Sequence, residues 1–166
     1  MRQRSGPSLQ VIAYHEAGHA AVCWYEGIEV ALATIVPDAG SLGRVSHRSA
    51  LGGIDLACDD TPQGKARAES LVRMALAGPL AQRRINPRGF RYDNSRGDYK
   101  GAQDVLSHLV GPDPEEMTAY LRLLEIQTRS ILTLDIVWAR VERIAAALLD
   151  LKTLSAEELE DLVDKN

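Results

Sequence analysis

His15-Glu16-Ala17-Gly18-His19 is the stretch around which the rest of the fold must be built. Four residues make little more than one helical turn, so His15 and His19 project from one face of a helix and can share a metal ion. Neutral imidazole nitrogens suit Zn²⁺, and a catalytic zinc has three protein ligands and one open position. Glu16 follows the first histidine, where its carboxylate can accept a proton from water during attack on a carbonyl.

The residues around this motif favour a buried helix. We expect it to begin after Ser8 as N-cap and to run to about Glu26, with Gly27 as its stop. Gly18 lies in its middle and costs about 1 kcal/mol relative to alanine, which predicts close approach of another backbone. A helix that carries two histidines by accident is the alternative, but it would bury costly polar groups without a partner. The apolar neighbours are Val11, Ile12, Ala13, Ala17, Ala20, Ala21 and Val22.

After this helix the sequence predicts a small β element at about residues 30–49. Val30–Val36 and Gly43–Ser49 have the length and composition of two short strands that can pair as a hairpin. Residues 51–60 are rich in glycine and acids and predict a mobile loop. The strand at Val30–Val36 could also bind an extended substrate by β-addition.

The remainder of the chain is predicted to be helical. Thr61-Pro62 is typical of an N-cap and first turn, and the helix should reach Ile85 with a kink or break at Pro79. Another helix is expected from Asp98 to Gly111. A long apolar helical stripe follows, with a break near Ser130. A capping box at residues 155–158 predicts a short final helix. The predicted fold class is therefore mainly α, in a single domain over residues 1–166.

Length and composition exclude several classes of protein. A chain of 166 residues with 45% hydrophobic and 25% charged residues is typical of one soluble domain. Its net charge of −4 argues against nucleic acid as a partner. Met1–Arg4 is basic but no apolar stretch follows it, and no run is long enough to span a bilayer. Cys23 and Cys58 are too few for a disulfide framework, which favours a reducing cytoplasm.

Two histidines alone leave a zinc site incomplete, so a third ligand must come from farther along the chain. Asp98 stands where a loop enters a helix, which holds its carboxylate near local backbone. A plain helix N-cap is an equally good interpretation of Asp98. His47 and His108 are otherwise expected to be surface or satisfied histidines. The candidates are His47, His108, Asp98, Asp104, Asp59 and Asp60.

The chain resembles the peptidase domain of FtsH-type AAA proteases over nearly its whole length. The matching stretches are His15–Ala20, Thr34–Pro37 with Leu42-Gly43, Leu76–Ala81, Asp98–Ala102, Trp138–Leu149 and Leu154–Leu159. This resemblance implies a zincin-like helical metallopeptidase domain with a β-hairpin beside the active-site helix. It implies His15, His19 and Asp98 as zinc ligands and Glu16 as general base. Asp104 stays as the reserve ligand.

The chain departs from the family pattern at three places. The family carries an ATPase module upstream, whereas this sequence has none, and Gly64-Lys65-Ala66 lacks the residues of a P-loop. Gln82 and Arg83 stand where the family has a glutamate pair near the zinc, which could weaken metal binding. Ser95-Arg96-Gly97 differs from the family's lead-in to the aspartate and leaves the register of Asp98 open.

The sequence thus predicts a zinc-dependent metalloendopeptidase that hydrolyses peptide bonds with a zinc-activated water. Its substrates would be peptides or accessible protein segments, with a separate ATPase or a homo-oligomer as possible partners. The alternative is a catalytically weak or inactive zinc-binding module with a regulatory or interaction role. A helical interaction protein without metal is a third hypothesis. The arginines between Arg83 and Arg96 predict either a solvated face or a docking site for an acidic partner.

Overall fold

The structure is a computed structural model that describes residues 7–38, 40–48, 55, 60–111 and 113–164. Within these residues it contains six α-helices and one small antiparallel sheet, which confirms the mainly α fold class. The predicted loop at 51–60 lies outside the described residues except for Asp55 and Asp60, and Cys58 and Asp59 lie outside them too. The elements are α1 (Leu9–Tyr25), β1 (Val30–Thr34), β2 (Arg44–His47), α2 (Pro62–Ile85), α3 (Arg96–Leu106), α4 (Pro114–Thr133), α5 (Asp135–Leu151), β3 (Thr153–Ser155) and α6 (Ala156–Asp164).

Helix α1 forms the centre of the fold, packed mainly between α2 and α5. Its ends are those expected, because the Ser8 hydroxyl accepts a hydrogen bond from the Val11 amide and Gly27 adopts a positive φ of 65°. A Cβ on Gly18 would lie 2.6 Å from the Cβ of Ala81 and 2.8 Å from the carbonyl oxygen of Ala77. The predicted close approach of another backbone is therefore confirmed, and that backbone belongs to α2.

Helix α2 begins as predicted but does not break at Pro79. The Thr61 hydroxyl accepts from the Gly64 amide at 3.1 Å, and the helix runs on through Pro79 to Ile85. Pro79 is buried, and α2 packs against α1 on both sides of it at Ala77 and Ala81, so packing outweighs the loss of one helical hydrogen bond. The prediction of a break was therefore wrong, and the alternative of a kink at Pro79 stays a prediction.

The sheet has the order β2-β1-β3, with β1 in the middle. Ala33 of β1 pairs with Val45 on one side and with Leu154 on the other, both antiparallel. The predicted hairpin is confirmed, but the third strand was missed. Because β1 is paired along both edges, the prediction that it receives an extended substrate was wrong. The two outer strands of the sheet are β2 and β3, and β2 is the one that lines the cleft described below.

Other helix boundaries differ from those predicted. Helix α3 starts at Arg96, with Ser95 in the N-cap position, so Asp98 lies inside the first turn and is not the cap. The helix ends at Leu106, earlier than expected. The long apolar stripe breaks at Leu134 rather than near Ser130. The predicted capping box is present, since the Ser155 amide donates to the Glu158 carboxylate and the Ser155 hydroxyl accepts from the Glu158 amide.

The core lies between α1, α2, α4, α5 and the sheet, and it leaves one face of α1 towards a cleft. In the described part of the chain no helix is both long and apolar enough to cross a membrane. The largest buried side chains include Ile35, Leu76, Leu106, Leu124, Ile144, Leu148 and Leu154.

Candidate metal centre

Helices α1 and α3 bring three metal-ligating side chains together. The Nε2 atoms of His15 and His19 lie 3.1 Å apart. One carboxylate oxygen of Asp98 lies 3.2 Å from the His15 Nε2, and the other lies 3.4 Å from the His19 Nε2. Among the described residues, these three form the group of histidine, cysteine or acidic side chains that could hold a metal ion. Helical spacing accounts for the two histidines, and Asp98 is added by the first turn of α3.

Both imidazole rings form hydrogen bonds to α2 through their Nδ1 atoms. The His19 Nδ1 lies 2.8 Å from the carbonyl oxygen of Met74, and the His15 Nδ1 lies 3.0 Å from the side-chain oxygen of Gln82. A carbonyl oxygen only accepts, so each Nδ1 carries a proton and donates it. The Nε2 atoms are thereby turned toward Asp98 as the metal-binding atoms.

The donor set fits zinc. Two imidazole nitrogens and one carboxylate oxygen are ligands that catalytic zinc uses, with bonds of roughly 2.0–2.2 Å. In a tetrahedral site with such bonds, neighbouring ligand atoms lie about 3.3 Å apart. The separations among His15, His19 and Asp98 run from 3.1 to 3.4 Å and match that spacing.

Close packing holds the ligands where they are. A Cβ on Gly78 would lie 2.2 Å from the His19 Nε2, so α2 can pass the ring only with glycine at this position. Together with the approach of α2 to Gly18, this leaves His19 little room to change its rotamer. The family resemblance included the stretch from Leu76 to Ala81, but the sequence did not predict that Gly78 packs against the His19 ring.

Glu16 lies buried beside the two histidines, with 6% of its surface exposed. Burial raises the pKa of Glu16, while the positive charge of His19 and His15 opposes this effect. Gly43, in the turn before β2, lies against the carboxylate: a Cβ there would be 2.6 Å from the Glu16 Oε1. The carboxylate is thus confined between α1 and the β1–β2 connection.

The histidines and Asp98 also interact strongly with each other. Burial acts against the charged form of His19, but its hydrogen bond and proximity to Asp98 raise the pKa of His19 to about 9. Burial likewise acts against ionised Asp98, but hydrogen bonds to His15 and His19 hold its pKa well below the usual value. A metal ion that binds such ligands displaces their protons, so its affinity depends on pH.

The group opens into a cleft of about 580 Å³. The connection before β2 and the strand itself contribute lining residues, including Gly43, Val45 and His47. Asp93 and Asn94, just ahead of α3, also line the cleft. A segment lying in this cleft would contact β2, whose outer edge is unpaired among the described residues.

Of the other candidate ligands, those that the structure describes, namely His47, Asp60, Asp104 and His108, do not join this group. Asp104 is exposed and forms an ion pair with Lys100 at 3.0 Å. His108 is exposed on the turn after α3, and His47 lines the cleft without belonging to the cluster. Sequence reasoning missed the backbone carbonyl of Met74, since nothing in a side-chain pattern marks which carbonyl a buried histidine will meet.

Sequence comparison adds an independent observation. No protein-family model matches the chain. The chain is similar to the ATP-dependent zinc metalloproteases FtsH of Rickettsia conorii and Rickettsia felis, at 25% and 26% identity over 189 aligned residues. The alignments cover 93% of this chain but 29% of each relative, so the chain spans less than a third of their length. The chain is thus distantly similar to one region of these FtsH proteases.

Proposed function

We propose that residues 1–166 form a zinc-dependent metalloendopeptidase domain. One observation carries this proposal: three possible metal ligands converge beside the buried Glu16 and line an open cleft. The ligands are His15, His19 and Asp98. The distant similarity to zinc metalloproteases supports it, because these are enzymes that use the same metal. We assign His15, His19 and Asp98 as ligands and Glu16 as the general base.

Each residue then has a defined task. Zinc bound here supplies Lewis-acid chemistry, which polarises a peptide carbonyl and lowers the pKa of water toward about 7. Glu16 accepts the proton of the attacking water and delivers it to the leaving amine nitrogen. Met74 and Gln82 keep the imidazole rings oriented through the bonds to Nδ1.

The cleft supports an extended substrate. Strand β2 offers an outer edge to which a peptide backbone can add as a further strand, and residues of β2 also line the cleft. Only a short peptide, a loop or an unfolded segment can present its backbone in this way. We therefore propose peptides and unstructured protein segments as substrates.

The test compares metal content and cleavage in matched variants. Plasma mass spectrometry of the purified wild type should find about one zinc per chain, and His19→Ala and Asp98→Ala should lose most of it. Asp104→Ala is the matched control, since this exposed acid should not affect zinc content. Glu16→Gln should keep zinc and abolish cleavage of an unfolded protein such as casein.

The outcomes separate the hypotheses. A wild type that stays metal-free after zinc is supplied would overturn the proposal. Zinc that survives Asp98→Ala would remove Asp98 from the ligand set. Zinc binding without any Glu16-dependent cleavage would support the alternative, an inactive zinc-binding module with a regulatory role.

A further inference from the structure

Positive charge is concentrated in one segment of the chain, Arg83 to Arg96, which we call the arginine loop. It contains five arginines and one aspartate, a net charge of +4. The whole chain carries −4, so the remaining residues carry −8. The arginine loop covers the end of α2, the connection that follows and the first residue of α3. Such a separation of charge in an acidic chain indicates a surface with a particular partner.

The arginine loop borders the cleft of the candidate metal centre. Gln82, which directly precedes it, lines the cleft and holds His15. Asp93 and Asn94, within it, line the cleft as well, as does Gly97 just after it. A ligand that fills the cleft would therefore contact the arginine loop at Asp93 and Asn94.

Arg84 is exposed like the other four, but its guanidinium is engaged in contacts within the protein. Its guanidinium stacks 3.7 Å from the centre of the Trp138 ring and donates to the carbonyl of Leu132. These contacts join the end of α2 to α4 and α5. Arg84 is thus a structural residue and is not available for a ligand.

The other four arginines are exposed. Arg83 lies 5.9 Å from the centre of the Phe90 ring, and Arg96 lies 3.7 Å from Asp93 in an exposed pair, both weak contacts. Arg88 and Arg91 form no ion pair or side-chain hydrogen bond with the described residues. The guanidinium group binds carboxylates through two parallel hydrogen bonds, so these four positions offer binding capacity for acidic side chains.

We propose that the arginine loop binds acidic residues of the substrate, so that the protein selects segments with aspartates or glutamates beside the part that enters the cleft. This inference rests on the proposed peptidase function and adds a substrate class to it. A short acidic peptide contacts the arginine loop alone. A nucleic acid is a longer polyanion and would meet the −8 carried by the rest of the chain.

The test measures binding separately from cleavage. Three fluorescein-labelled peptides share one apolar centre, which is flanked on both sides by glutamates, by glutamines or by lysines. Each peptide is titrated with the Glu16→Gln protein, and binding is followed by fluorescence anisotropy. The double variant Arg88→Gln/Arg91→Gln removes the two arginines without partners. Lys65→Gln is the control for loss of an exposed cation, because Lys65 lies at the other end of α2, about 27 Å from Arg83.

We expect the glutamate peptide to bind about tenfold more tightly than the glutamine peptide at low salt, and less so at about 0.15 M. Each arginine removed should weaken its binding about two- to fivefold, whereas Lys65→Gln should change it little. The wild type should cleave the glutamate peptide with a correspondingly higher kcat/KM. Binding that depends on Arg88 and Arg91 without any cleavage would support the arginine loop and count against the peptidase.

Two results would overturn the inference. In the first, the glutamate and glutamine peptides are bound and cleaved equally well, and neither binding nor cleavage changes in Arg88→Gln/Arg91→Gln. This result would reject the role of the arginine loop but leave the proposed peptidase function standing. The other is a single-stranded oligonucleotide that binds more tightly than the glutamate peptide and loses affinity in the same variant.

Discussion

Gln82 offers a sharp test of how the candidate metal centre is held. Its side chain is 4% exposed and accepts a hydrogen bond from the His15 Nδ1 at 3.0 Å. Gln82→Leu removes the acceptor but keeps an apolar side chain of similar length. Removing such a partner of a metal-bound histidine weakens metal binding by about 10- to 100-fold, or about 1.4–2.7 kcal/mol.

Gln82→Glu changes the same bond in the opposite direction. A charged acceptor makes this hydrogen bond roughly twice as strong and adds a negative charge near the metal. We expect zinc to bind about tenfold more tightly than in the wild type. The metal-free variant should be less stable, because a further carboxylate is then buried near Glu16 and Asp98.

The zinc affinity of both variants can be measured by competition with a chromophoric chelator. Gln63, which is exposed at the start of α2, provides Gln63→Leu and Gln63→Glu as controls for the same chemical changes away from the site. A Gln82→Leu protein whose zinc affinity stays within twofold of the wild type would refute the role we give to this hydrogen bond. So would weaker binding by Gln82→Glu.

Three further substitutions test other contacts. A methyl group at Gly43 would displace the carboxylate of Glu16, so Gly43→Ala should lower kcat at least about tenfold while the zinc content stays at the wild-type value. Gly18→Ala should destabilise the protein by about 1–3 kcal/mol in urea denaturation, because the methyl overlaps α2, and a gain in stability would contradict this. Burial alone would raise the pKa of Glu26, but hydrogen bonds from Arg73 and from a serine outweigh it and lower that pKa. The ion pair of Glu26 and Arg73 therefore stabilises the fold fully above the ordinary value of 4.5 and loses its effect as the pH falls through the lowered value. Glu26→Gln should destabilise the protein by about 2 kcal/mol at pH 7. The difference between its urea midpoint and that of the wild type should shrink as the pH is lowered below 4.5, whereas a constant difference would contradict this account.

The features that sequence predicted well are those set by local rules. Helical spacing alone puts His15 and His19 on one face, and Ser8 and Gly27 fix the ends of α1 by capping chemistry that involves only near neighbours. The choice of Asp98 as partner of the histidines could not come from spacing, because it is made across 79 or more residues of chain. It needed a family resemblance.

The predictions that failed depended on tertiary structure. Pro79 breaks an isolated helix, but here the helix is held on both sides of the proline by packing against α1. Asp98 was expected near the N-cap because the 3₁₀ turn at Tyr92–Ser95, which sets the start of α3, has no clear sequence signature. Strand β3 has three residues, too few for an alternating pattern to be recognised.

Strand β3 joins two parts of the chain that are synthesised far apart in time. The hydroxyls of Thr34 in β1 and Thr153 in β3 are hydrogen-bonded at 2.7 Å although the residues are 119 positions apart. During synthesis α1 and the β1–β2 hairpin are made before β3, so the second edge of β1 stays unpaired until β3 has been synthesised. The three-stranded sheet that contains β2 is therefore complete only after residue 155 has been synthesised.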